Sequence, residues 1–93
     1  MTTHLKTGRM TKTFGDFFTP PETAERIAEA IWPDIVATHK RLGRPVRILE
    51  PSAGTGSLLK PLIALSHRDR IPLDITAVEL QEDYVLELRK IFD

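Results

Sequence analysis

Residues 48–59 read ILEPSAGTGSLL, and this stretch decides the fold. The run PVRIL over 45–49, rich in β-branched and aliphatic residues, predicts a short strand that Glu50 closes. After the turn PSAGTG, the segment SLLKPLIALS predicts a helix. Pro61 is tolerated only in a first helical turn, which puts the helix start at Gly56 or Ser57. A strand, a Gly-x-Gly turn and a helix N-terminus bring backbone N–H groups up to a ligand, because glycine permits positive φ and close approach. Gly54 and Gly56 fill that role. No Lys-Ser/Thr pair follows the second glycine, and Leu59 stands where a dinucleotide fingerprint has its third glycine. Pyrophosphate binding is therefore disfavoured, and a nucleoside without a phosphate suits the turn better.

Downstream, HRDRIP reads as a polar connection and LDITAVEL as a second strand ending at Glu79. A carboxylate at the end of the neighbouring strand is placed to accept both hydroxyls of a ribose. QEDYVLELRKIF then predicts a helix that buries Tyr84, Val85, Leu88 and Phe92. Upstream, TPPE signals a helix start: Thr19 as cap, Pro20 at the first helical position, Glu22 completing a capping box. Ala24, Ile27, Ala28 and Ile31 fall on one face, expected toward the core. Trp32-Pro33 is expected to interrupt this helix, leaving a second short one over 34–42 that carries Ile35, Val36 and Leu42 and is capped by Gly43. Residues 1–13 show no periodicity and read as a basic extended arm preceding an α/β domain over 14–93.

A chain of 93 residues makes at most one small domain. Its 41% hydrophobic and 28% charged residues are ordinary for a globular protein, and no stretch approaches the ~20 apolar residues of a membrane span. The absence of cysteine excludes disulfides and thiolate zinc sites, and His4, His39 and His67 lack ligand spacing. The first residues do not make a secretory signal, so a cytoplasmic location is expected. Net charge is zero, yet residues 1–47 hold eight Lys/Arg against five Asp/Glu, while residues 74–93 hold two against six. Lys6, Arg9 and Lys12 on the arm, with Lys40, Arg41 and Arg44, are the candidate contacts to a partner protein or nucleic acid.

Three motifs together resemble a family, the S-adenosylmethionine-dependent DNA methyltransferases that modify adenine N6, including the modification subunits of type I restriction systems. ILEPSAGTGSLL is similar to their cofactor motif, FFTPP to the helix-start motif before it, and AVELQED to the second cofactor acid and its sequel. The motifs occur in the family's order, and the resemblance covers residues 14–93. It implies a truncated Rossmann-like methyltransferase fragment of α/β class, with two parallel strands and flanking helices. It implies S-adenosylmethionine as cofactor. Phe18, Thr19 and Pro20 would lie beside its methionine portion, and Glu50, Pro51, Ala53, Gly54 and Gly56 around its amino group and the turn. Glu79 would hold the ribose, and Leu80 would lie along the adenine.

The family's catalytic Asn/Asp-Pro-Pro-aromatic tetrapeptide does not occur in these residues. No other base, nucleophile or metal constellation replaces it, and methyl transfer by this chain alone is not expected. A short parallel sheet leaves edges and apolar surface open, so Ile48, Leu49, Ile75, Ala77 and Val78 are expected to seek neighbours. Two functions follow. One is a non-catalytic protein of methyltransferase ancestry that binds another protein, such as a phage or mobile-element inhibitor of a CRISPR or restriction complex. The other is a cofactor-binding fragment that a complementing chain would make active. The expected partner is a second copy, the complementing half or a defence complex, with nucleic acid reached through it and no membrane.

Overall fold

The computed structural model of the chain describes residues 2–7, 19–51 and 53–92, and of residues 2–7 the backbone. The elements run β1 (Thr2–Thr7), α1 (Pro21–Leu42), β2 (Val46–Glu50), α2 (Leu59–Asp69), β3 (Leu73–Glu79) and α3 (Glu82–Phe92). The two expected strands are present as β2 and β3, parallel, with Ile48 opposite Ile75 and Glu50 opposite Ala77. A further strand, β1, lies within the segment expected as an arm. It pairs in parallel with the other edge of β3, Leu5 opposite Ala77, giving the order β1-β3-β2.

β3 is the centre of the sheet and shows the period of two that an asymmetric environment imposes. Leu73, Ile75, Ala77 and Glu79 are buried; Asp74, Thr76 and Val78 are half-buried. The buried side packs into one core with Val46 of β2, Ala28, Trp32 and Ile35 of α1, Leu59, Leu62 and Ile63 of α2, and Leu88 of α3. All three helices therefore cover the same face of the sheet. Among the described residues, no element covers the opposite face, on which Leu49 of β2 is 67% exposed. That one-sided layering differs from the helices on both faces that parallel strands usually carry.

The helix interruption expected at Trp32-Pro33 is absent. α1 runs through Pro33 as one helix of 22 residues. Proline costs the hydrogen bond to residue i−4, but Ala28 and Trp32 before it and Ile35 after it are all buried in the same core. Packing on both sides of the proline holds the axis. Continuity also shifts the inward stripe: Ala24, Ala28, Trp32 and Ile35 are buried, while Ile27 and Ile31 are each 38% exposed, contrary to expectation. The start differs too. Pro20 is the N-cap residue with no side-chain cap, so Thr19 does not cap. The C-terminus is as read: Gly43, at φ 67°, donates its N–H to the His39 carbonyl at 2.8 Å.

α2 begins at Leu59, with Pro61 inside its first turn, and extends through His67 and Asp69, which were expected in a loop. What lengthens it is its far end. The Trp32 Nε1–H donates to Asp69 Oδ2 at 2.7 Å, and Arg68 donates to both oxygens of the same carboxylate at 2.8 Å. Arg68, and after it Trp32, hold the Asp69 carboxyl down at about 2. A carboxylate depressed in the folded state stabilises fully above its unfolded value near ~3.9, and that contribution disappears as pH falls toward about 2. Melting of wild type and Asp69→Asn should differ at pH 5 and converge near pH 2, with wild type the more stable at the higher pH. The gap is modest, because Arg68 is largely exposed.

In α3, Val85 and Leu88 are buried as expected, whereas Tyr84 and Phe92 are half-buried at its margin. Ile75 and Ala77, expected to seek neighbours, find them within the chain: both are fully buried between β1 and β2 beneath the helices.

Candidate functional site at the carboxyl ends of β2 and β3

The register that sets Glu50 opposite Ala77 puts Glu50 and Glu79 on the helix-covered face at the ends of adjacent parallel strands. Such strand ends form the crevice in which open α/β sheets hold ligands. The loop after β2 is tied to β3 at once: the Ala53 N–H donates to the Val78 carbonyl at 2.9 Å. Gly54, at φ 57°, then donates its N–H to Glu79 Oε1 at 2.7 Å, and the Gln81 N–H donates to Oε2 at 2.8 Å. The Glu79 side chain is 9% exposed and held by one charge-assisted bond on each oxygen. An ionised carboxylate has about four acceptor positions, so its remaining lone pairs are oriented and unspent by these two bonds.

Gly56, at φ 89°, is buried, and its N–H donates to the Ala53 carbonyl at 2.9 Å. A Cβ at this position would overlap Cδ1 of Ile91 and approach Cδ1 of Leu88 to 2.9 Å. The two glycines divide the work: Gly54 presents its amide to Glu79, while Gly56 lets α3 pack against the turn. The Gly56 carbonyl then accepts from the Lys60 N–H at 2.9 Å, leading the chain into α2.

Beside this turn, a cleft of about 290 Å³ separates the first turns of α1 and α2, lined by Pro21, Glu25, Ser57, Lys60, Pro61 and Ala64. One carboxylate and one ammonium thus face a mostly apolar slot. The sequence-predicted residues distribute around these features. Ala53, Gly54, Gly56 and Glu79 are brought together by direct hydrogen bonds. Glu50 is half-buried at the end of β2, Pro51 is exposed, and Leu80 is 40% exposed just past β3. Thr19 is half-buried and Pro20 exposed at the start of α1, and Phe18 lies outside the described residues. Of the basic candidates, Lys40, Arg41 and Arg44 are exposed at the C-terminal end of α1, where positive charge complements the helix dipole. Arg9, Lys12 and the side chain of Lys6 lie outside the described residues.

Sequence reasoning missed Gln81, Ser57, Lys60 and Glu25. An acid two residues ahead of a backbone N–H at a strand-to-helix junction is the signal that would have found Gln81. The cleft residues had no such mark, because α1 and α2 meet through tertiary packing. Among the described residues, no group of three His, Asp or Glu side chains is placed to hold a metal ion. Nor is any helix among them long and apolar enough to cross a membrane.

No protein-family profile matches the chain. It is similar to the non-reducing polyketide synthase pkdA of Emericella nidulans, 44% identical over 48 residues. These make up 52% of this chain, which spans about 2% of that protein's length. No solved structure matches the chain.

Proposed function

We propose that the chain is a non-catalytic, S-adenosylmethionine-binding unit of the adenine-N6 DNA methyltransferase type. The observation that supports this reading is the Glu79 carboxylate, fixed by Gly54 and Gln81 at the end of β3 with acceptor positions to spare. In this reading Glu79 accepts the ribose hydroxyls, Leu80 lies along the base, and the Gly54 turn borders the amino-acid portion. The chain's residues bind and orient the cofactor. Adenine gripping would require an Asn/Asp-Pro-Pro-aromatic element, which these 93 residues do not contain, so methyl transfer is not proposed for them.

Calorimetric titration of the 93-residue protein with S-adenosylmethionine tests this proposal. Saturable binding with affinity between micromolar and millimolar is expected. No heat at millimolar ligand, from protein shown to be folded, would overturn it.

A second reading, in which the unit acts by docking on another protein such as a restriction or CRISPR complex, is favoured by the exposure of Leu49 on the sheet face that none of the described elements covers. Under it, reversing Lys40, Arg41 and Arg44 or replacing Leu49 with Glu would abolish function, whereas Glu79→Ala would leave function intact. A cofactor binder shows the opposite pattern.

A further inference from the structure

β1, α1 and β2 form one parallel crossover, and β2, α2 and β3 form another. In the order β1-β3-β2, the first crossover steps over β3 and the second steps back by one place. Both helices lie on the same face of the sheet, since α1 and α2 share one core. Two crossovers on one face that travel in opposite directions have opposite hands. Parallel crossovers are right-handed in about 98% of cases, so one of this pair takes the rare hand.

The two are not equally constrained. β2, α2 and β3 are closely joined, and α2 is tied to both strands through the buried core. β1 is joined to α1 by residues 8–20, a connection of thirteen. The uncommon hand is therefore assigned to the crossover that starts at β1. Fully extended, thirteen residues span about 45 Å, comparable to the 42 Å longest dimension of the molecule.

We infer that the edge of β3 covered by β1 is a strand-exchange surface whose occupant is β1 of a second copy of this chain. Exchange keeps every backbone pair of the β1–β3 register, Thr2 with Asp74 through Thr7 with Glu79. It removes the rare-handed crossover from both chains, because each β1 then enters its sheet from the neighbour. The connection is long enough to make the reach, and zero net charge sets no overall repulsion between copies. Exchange of an identical element is the low-cost route to a two-fold dimer. This inference does not depend on cofactor binding.

The chain has no cysteine, so cross-linking reports cleanly. His4 and Thr76 are register partners on β1 and β3. Mixing the single variants His4→Cys and Thr76→Cys under mild oxidation should give a covalent heterodimer, about tenfold more than His4→Cys mixed with Ala37→Cys, a control on the exposed side of α1. Size-exclusion chromatography with light scattering provides a readout free of substitutions. The unmodified chain should elute at twice its 10.5 kDa mass, and removal of residues 1–7 should return it to a monomer. A mixed-variant yield no higher than the control overturns the inference. So does a cross-link confined to single chains in a double variant carrying both His4→Cys and Thr76→Cys, or a monomeric wild type at all concentrations.

Discussion

Replacing Gly56 with valine is expected to destabilise the chain by about 3 kcal/mol or more, through two independent costs. A β-branched residue at φ 89° pays roughly 1–2 kcal/mol of backbone strain. Its side chain must also displace Leu88 and Ile91 of α3, and overpacking of this kind costs about 1–3 kcal/mol. Against the ~5–14 kcal/mol available to a domain of this size, the melting temperature should fall by more than ~12 °C. Gly43 supplies the control. It also has positive φ, 67°, but a Cβ there meets nothing within 4 Å. Gly43→Val should pay only the backbone strain, roughly 1–2 kcal/mol. Urea denaturation of both variants checks the packing: equal midpoints would mean that α3 does not rest on the turn.

Glu79→Ala carries the second large effect, on binding more than on folding. The substitution removes the acceptor from the Gly54 and Gln81 amides. Because water can enter such a strand end, the expected stability loss is about 1–2 kcal/mol, toward the low end for two unsatisfied donors. Affinity for S-adenosylmethionine should fall by at least ~100-fold, since two hydroxyl bonds to a charged acceptor contribute about 1.5–3 kcal/mol each. Glu79→Gln separates the two effects. Its single amide oxygen restores part of the turn's stability but offers a donor where a ribose hydroxyl needs an acceptor. Thermal melting and calorimetric titration on the same preparations distinguish a weakened fold from a lost ligand contact. Binding unchanged in Glu79→Ala would remove Glu79 from the proposed site.

The parts legible in the sequence are those governed by local chemistry. β2 and β3 announced themselves by β-branched runs, and Gly43 by the left-handed cap that glycine fills without strain. What was not legible depends on distant partners. Pro33 reads as a breaker from its own backbone chemistry, and the burial of Trp32 and Ile35 that overrides it becomes visible only when α1 meets the sheet. Ile27 and Ile31 share a helical face with Ala24 and Ala28, and the direction from which α2 and the sheet approach decides which edge of that face is buried. β1 gave no signal because MTTHLKT carries little apolar alternation, and its pairing partner lies some seventy positions away. The helix positions of His67 and Asp69 likewise follow from Trp32, 37 residues upstream of the carboxylate it binds.

That indole has a practical consequence. Trp32 is the chain's single tryptophan, buried on α1 with its N–H committed to the end of α2. Its emission therefore gives an optical record of whether those two helices are seated together. Ligand entering the turn near Gly54 should leave the spectrum nearly unchanged, whereas separation of α1 from α2 should shift it to longer wavelength as water reaches the ring.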